Sequence, residues 1–135
     1  MADAFTFELV SPERLLLSEQ VTEVVVPGAD GYMTVIANHA PVMSTLQPGI
    51  ATVKTVEGKE EAYVIFGGFI DVMQTSCTIL AEEAMPVSEL NKEALDKRIE
   101  AARVAHDEAP HGEAKAVAHS YLGQLTTLQG AILPA

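Results

Sequence analysis

The sequence predicts an α+β protein: an antiparallel β-sandwich over residues 1–86, followed by an antiparallel α-helical hairpin over residues 87–135. Three observations carry this. Up to Met85-Pro86, short apolar runs recur at intervals of roughly 8–12 residues, each closed by glycine, proline or polar turn signals, the rhythm of a sandwich or small barrel. Beyond Pro86 the texture changes to Ala, Leu, Glu and Lys, all strong helix formers. Pro110-His111-Gly112 then cuts this second part in two, pairing a helix terminator with a glycine stop.

In chain order, Phe5, Phe7 and Leu9 alternate with Thr6, Glu8 and Val10, the period of two of a strand with one buried face. Ser11-Pro12-Glu13 turns the chain. Residues 14–18 and 21–26 read as two further strands, the second ended by Pro27-Gly28-Ala29-Asp30-Gly31. Residues 32–37 form another run, which Asn38-His39-Ala40-Pro41 leaves as a loop because Pro41 holds Ala40 extended. Residues 50–56 and 62–66 flank Glu57-Gly58, and residues 69–73 and 78–81 flank Gln74-Thr75-Ser76. Spacing alone does not order these strands. In the helical part, Leu95, Ile99 and Ala102 lie in one row that His106 extends. Ala114, Val117, Ala118, Tyr121, Leu122, Leu125, Leu128 and Ile132 make a second stripe at the 3.6-residue period. Such stripes can pack on each other, on the sandwich or on another protein.

Composition narrows the function. The 135 residues hold 8 Lys plus Arg against 19 Asp plus Glu, a net charge of −11. Nucleic acid and anionic membrane surfaces are excluded as partners, because both require clustered cations. Residues 1–86 hold 3 basic and 12 acidic residues and so carry most of the acidity. No run approaches the roughly 20 apolar residues of a membrane span, and the N-terminus lacks the pattern of a signal peptide. A soluble protein is expected, with membrane association only through partners. One cysteine, Cys77, precludes an internal disulfide and fits a reducing compartment.

The candidate chemistry is sparse. His106, His111 and His119 lack the i, i+4 spacing of a helical zinc site and read as surface residues. His39 is open to three roles: orienting its loop, facing a partner, or catalysis, which no neighbouring nucleophile motif supports. Gly28-Ala29-Asp30-Gly31 has no following helix and is no dinucleotide fingerprint. Gly67-Gly68 reads as a bulge or a close approach of two backbones. Glu60-Glu61 and Glu82-Glu83 are adjacent, so in strands their side chains point to opposite faces. Cys77 has no basic flank and reads as a small core residue. No catalytic, cofactor or metal site emerges.

The turn motifs themselves are more specific. Phe7-Glu8-Leu9-Val10-Ser11-Pro12, Pro27-Gly28-Ala29-Asp30-Gly31, Asn38-His39-Ala40-Pro41, Leu46-Gln47-Pro48-Gly49, Gly67-Gly68-Phe69-Ile70-Asp71-Val72 and Thr78-Ile79-Leu80-Ala81-Glu82 follow in that order. The series resembles the ε subunit of bacterial F-type ATP synthases, most specifically over residues 5–86. The resemblance implies a non-catalytic rotor subunit of the central stalk. Its sandwich would bind the γ subunit and sit on the c ring, coupling rotation to ATP synthesis at the cytoplasmic face of the bacterial inner membrane. By position, Asp30, Gly31 and Tyr32 form the loop facing the c ring, with Tyr32 where the family often has an acid. Asn38, His39, Ala40, Pro41 and Met43 form the loop near the stalk base.

The resemblance also implies that the hairpin can bind ATP or reach the α/β catalytic head and restrain hydrolysis. The nucleotide motif Ile/Leu-Asp-x-x-Arg-Ala maps onto Leu90-Asn91-Lys92-Glu93-Ala94-Leu95, where Asn91 replaces the acid and Ala94 the arginine. Weak or absent ATP binding is expected, and no cofactor. From Gly112 to Ala135 the only cation is Lys115, so a firm grip on an acidic loop of the head is not expected. The competing reading is a free-standing, cupin-like β-sandwich binding a metal or small molecule through His39 with Asp30 or Glu82.

Overall fold

The computed structural model describes residues 3–132. The side chain of Ile132, last in the predicted second stripe, and residues 133–135 lie outside the described residues. Nine strands come first: β1 (Phe5–Val10), β2 (Leu15–Gly28), β3 (Gly31–Val35), β4 (Val42–Leu46), β5 (Gly49–Thr55), β6 (Glu60–Ile65), β7 (Gly68–Val72), β8 (Ser76–Ala81) and β9 (Ala84–Pro86). A 3₁₀ turn at Val87–Glu89 leads to helices α1 (Lys92–Glu108) and α2 (Glu113–Ile132). The chain forms two compact units that divide between Val87 and Ser88.

In the first unit β2 is the spine. Its front half pairs with β1, from Phe5↔Val21 to Val10↔Leu15, and its rear half pairs with β5 and β3. The neighbours change around Val21–Glu23, where the β5 register slips. The two strands expected at residues 14–18 and 21–26 are therefore one 14-residue strand with two sets of partners. β1, β8, β7 and β4 build one layer from its front, and β3, β5, β6 and β9 the other from its rear. The predicted sandwich is present, and its pairs are antiparallel except β1–β8, which run parallel. Between the layers, Phe7, Leu9, Val21, Val24, Val26, Val53, Ile70 and Ile79 expose no surface. Each is worth roughly 1.5–3 kcal/mol of burial, enough for an aliphatic core without tryptophan.

Two strands were not expected from the sequence. β4 takes up Val42 and Met43, so the predicted loop over residues 38–43 shortens to residues 38–41. Its alternation is hidden in the sequence, because polar Ser44 stands with Val42 and Leu46 on the inward side and apolar Met43 with Thr45 on the outward side. A full ladder to β7, from Val42↔Val72 to Leu46↔Gly68, makes it a strand. β9, three residues long, pairs with β6.

In the second unit, Asn91 caps α1, its side chain accepting from the N–H groups of Glu93 (2.7 Å) and Ala94 (3.4 Å). α1 ends where Pro110 forces Ala109 extended, and Gly112 takes a φ of +105° in the link. The helices run antiparallel: Gln129 donates to Asp96 (2.7 Å), the Arg98 guanidinium reaches the Tyr121 hydroxyl (3.5 Å), and the His106 and His119 rings lie 5.6 Å apart. Leu95, Ile99 and Ala102 of α1 and Leu125 and Leu128 of α2 are buried. Ala114 and Val117, predicted members of the stripe, are exposed. With His106 facing His119, those positions fall opposite the end of α1 and the link, where no helix surface remains to cover them.

Candidate interaction surface

The β2–β3 hairpin closes through Ala29 and Asp30, with Gly28 paired to Gly31. Gly31 has a φ of +129°, which a side chain would strain, and a Cβ on Gly28 would come within 2.8 Å of the Gly31 carbonyl. The tip is tied to the β4–β5 turn. The Ala29 N–H donates to the Thr45 carbonyl (3.0 Å), the Gln47 N–H to the Pro27 carbonyl (2.9 Å), and Gln47 Nε2 to the Gly28 carbonyl (2.9 Å). Tyr32, 58% exposed, accepts a hydrogen bond on its hydroxyl from the Ile50 N–H (3.0 Å).

The second predicted group is held with equal care. Asn38 takes a φ of +65°, a conformation asparagine tolerates, and its N–H donates to the Gln74 carbonyl (2.9 Å) in the β7–β8 turn. The His39 N–H donates to Ile36 (3.2 Å), and its Nδ1 lies 2.7 Å from the Ala40 carbonyl, which it meets as a donor when protonated there. Of the three open roles for His39, this geometry supports the first, orienting its own loop. Ala40 and Pro41 are exposed, and Met43 is 71% exposed on β4.

The two groups do not come together. Asp30 lies at the Leu46 end of β4 and His39 before its Val42 end, about 13 Å apart at roughly 3.3 Å per residue. The metal-binding alternative fails on this geometry. His39 cannot share an ion with Asp30, nor with Glu82, which lies at the Gly67–Gly68 end of β7. Among the described residues no group of three or more His, Cys, Asp or Glu side chains is placed to hold a metal.

What the sequence reading missed lies between the two groups. Direct cross-strand pairing sets Thr45, Phe69, Leu80, Val10 and Leu15 in one row across β4, β7, β8, β1 and β2. The row is on the outside of its layer: Phe69 and Leu80 are each 52% exposed, while Ile70 and Ile79 beside them are fully buried. A second row, Met43, Asp71, Thr78, Glu8 and Ser18, borders it with two carboxylates. An exposed apolar row with an acidic border has the make-up of an interface core with a polar rim. The signal was present in Leu9-Val10 and Ile79-Leu80, where an apolar residue stands at the position that should be polar. Gly67-Gly68 sets Phe69 in place as a close backbone approach. A Cβ on Gly68, at φ +135°, would run into the Leu80 carbonyl, and one on Gly67 would meet a Glu82 carboxylate oxygen at 3.2 Å.

Cys77 is buried, and burial together with the Asp71 carboxylate pushes its thiol up to about 12, so it stays protonated. Asn91, at the acid position of the nucleotide motif, has its side-chain oxygen engaged in capping α1.

Fold and surface together define a class: a two-unit chain in which a β-sandwich with a partly apolar outer sheet face is followed by a helical hairpin. Residues 4–87 match the family described as the Delta/Epsilon chain of ATP synthase, β-sandwich domain. The ATP synthase epsilon chain of Mesorhizobium japonicum is 56% identical over all 135 residues, and that of Brucella anthropi 53%, each match covering both chains completely. Among solved structures, a chain of the Euglena gracilis mitochondrial ATP synthase, OSCP/F1/c-ring assembly, gives a TM-score of 0.76 at 29% identity, covering 96% of this chain and 81% of that one. A chain of the Tetrahymena thermophila mitochondrial ATP synthase central stalk and c ring shares the fold, with a TM-score of 0.66 at 14% identity over 93% of this chain and 96% of that one. The chain belongs to the ATP synthase epsilon-chain family.

Proposed function

We propose that this chain is a non-catalytic central-stalk subunit of a proton-translocating ATP synthase, coupling c-ring rotation through γ to the catalytic head. The observation that carries this reading is the row Phe69–Leu80–Val10–Leu15 on the outer face of its layer, in which Phe69, Leu80 and Leu15 are exposed and Val10 is half-buried. That face, extended by Met43, engages γ, and its border of Glu8 and Asp71 favours a partner with basic residues around an apolar patch. The tip Ala29–Tyr32 meets the c ring, with Asp30 as its charged group. The epsilon-chain names of full-length bacterial relatives and the c-ring assembly of the Euglena neighbour support this placement. In this reading attachment to the cytoplasmic face of the inner membrane runs through these partners; no helix among the described residues is long and apolar enough to cross a membrane. The hairpin is chiefly structural: Asn91 caps a helix and Ala94 offers no guanidinium, so ATP holds it weakly or not at all. Leu80→Glu tests the reading. Leu80 is half exposed, so the sandwich should fold, while a pull-down from detergent-solubilised membranes should recover γ at least about tenfold less, the loss of roughly 1.4 kcal/mol of binding. Recovery of γ at the parental yield would refute it.

A further inference from the structure

We infer that Tyr32 is a positioning residue: seated on Gly49, it fixes the direction in which the Ala29–Asp30 tip meets its partner. The inference rests on the c-ring contact proposed above. Among the described residues β3 is an edge strand that pairs with β2 alone, so no other ladder there holds the tip's second flank. Tyr32 supplies the missing attachment. Its hydroxyl takes the N–H of Ile50, which lies on β5 beyond the last β2–β5 pair, Val25↔Thr52, and has no acceptor there from β2. The seat requires a glycine for space, not for conformation. A Cβ on Gly49 would lie 2.6 Å from Pro27 Cβ and 2.8 Å from the Tyr32 hydroxyl, while Gly49 itself is not among the glycines at positive φ. Pro27 pairs directly with Tyr32 across β2–β3, so ring, proline and glycine form one packed unit. The bonds from Ala29 to Thr45 and from Gln47 to Gly28 hold the β2 flank of the tip. The Tyr32–Ile50 bond holds the β3 flank. With Gly28 and Gly31 as flexible corners, losing either hold lets the tip swing.

The test uses the full chain assembled with γ and the c ring. Ala29, exposed beside Asp30 and tied through its main chain alone, is replaced by cysteine, and one cysteine is placed in the polar loop of the c subunit; Cys77 is buried and stays out of the reaction. Oxidation should cross-link position 29 to the c ring. Tyr32→Phe, which keeps the ring but removes the acceptor, should slow that cross-link about tenfold, the equivalent of roughly 1.4 kcal/mol, with the melting temperature and γ recovery unchanged. Gly49→Ala should slow it similarly, and the double variant no further, because both act on one seat. Cross-linking in every variant at a rate within about twofold of the parent would overturn the role of Tyr32 and leave the c-ring contact standing. Slowing matched by an equal loss of γ recovery would also overturn it, since that is a general loss of structure. No cross-link even with Tyr32 intact would overturn the contact itself, and the inference with it.

Discussion

The sandwich and the helical hairpin hold their shapes by different means. In the sandwich, the turns are tied by main-chain bonds to neighbouring elements: Ala29 to Thr45 on β4, Gln47 to Pro27 on β2, and Asn38 to Gln74 in the β7–β8 turn. Its surface is therefore fixed by the same ladders that fix the core. In the hairpin, α1 and α2 meet through a short apolar seam and a few side-chain contacts, among them Asp96–Gln129 and Arg98–Tyr121. Each helix satisfies its own backbone, so separating the two breaks no main-chain bond. One unit is rigid by construction, and the other is an assembly of two independent parts. A rotor contact that must transmit torque belongs on the first.

The sharpest way to break this contrast is Gly68→Val. A Cβ there collides with the Leu80 carbonyl at a φ of +135°, and neither backbone can move without disturbing the β7–β8 ladder. A loss of about 4 kcal/mol or more is expected, beyond the usual single-residue cost. Urea unfolding followed by tyrosine fluorescence in a Tyr121→Phe background, where the remaining Tyr32 and Tyr63 both lie in the sandwich, and by helical circular dichroism checks it. The sandwich transition should shift strongly while helix content persists.

Cys77 probes the same rigidity without a mutation. Its thiol is raised from 9.0 to about 12 by burial and by Asp71, so near pH 9 the folded chain holds a proton that the unfolded chain has half released. Alkylation at that pH should be slower than in urea by a factor on the order of a thousand. By linkage the folded state binds the extra proton, so stability is unaffected at neutral pH and falls as pH rises from about 9 towards 12. Rapid labelling of the native chain would mean that the sandwich opens locally.

For the hairpin the expected effects are smaller and local. Leu125→Ala removes a fully buried side chain from α2 and should cost about 2–4 kcal/mol of hairpin stability. Amide exchange across α1 and α2 should accelerate together while β2 and β7 keep their protection. A uniform acceleration through both units would erase the distinction.

The same contrast explains what could be read in advance. The strands with one buried face, β1 above all, were legible because their residues alternate. β4 was not, since its residue types do not follow its faces: polar Ser44 points inward with Leu46, and apolar Met43 points outward with Thr45. β2 looked like two strands because its partners change near Val21. The turns carrying Asp30 and His39 were visible as Gly, Asn and Pro punctuation, but their placement at opposite ends of β4 is a matter of pairing order, which spacing does not encode. The outer row of Phe69 and Leu80 was hidden for a related reason. An apolar run such as Ile79-Leu80 reads as core throughout until the register shows which residue faces out. In α2 the apolar periodicity was legible, but its buried length was not, because that depends on where α1 stops.

The smallest expected effect comes from removing the hairpin altogether. Deletion of residues 88–135 cuts the chain where its two units divide, so every strand pair from β1 to β9 remains. Recovery of γ should stay close to the parental level, because the Phe69–Leu80 row and the Ala29–Tyr32 tip are all in the first unit. Restraint of hydrolysis would need the hairpin to grip an acidic surface, yet α2 carries one cation, Lys115. In α1, Lys92, Lys97, Arg98 and Arg103 stand among Glu93, Asp96, Glu100, Asp107 and Glu108, and Arg103 is already paired with Glu100 at 3.1 Å. A surface in which each cation has an acidic neighbour offers an acidic partner little net attraction. ATP hydrolysis by the assembled complex should therefore change by less than about threefold on deletion, roughly 0.6 kcal/mol on the barrier. A tenfold rise would show that the hairpin grips the head by its shape, with the exposed Val117 side of α2 as the first place to look.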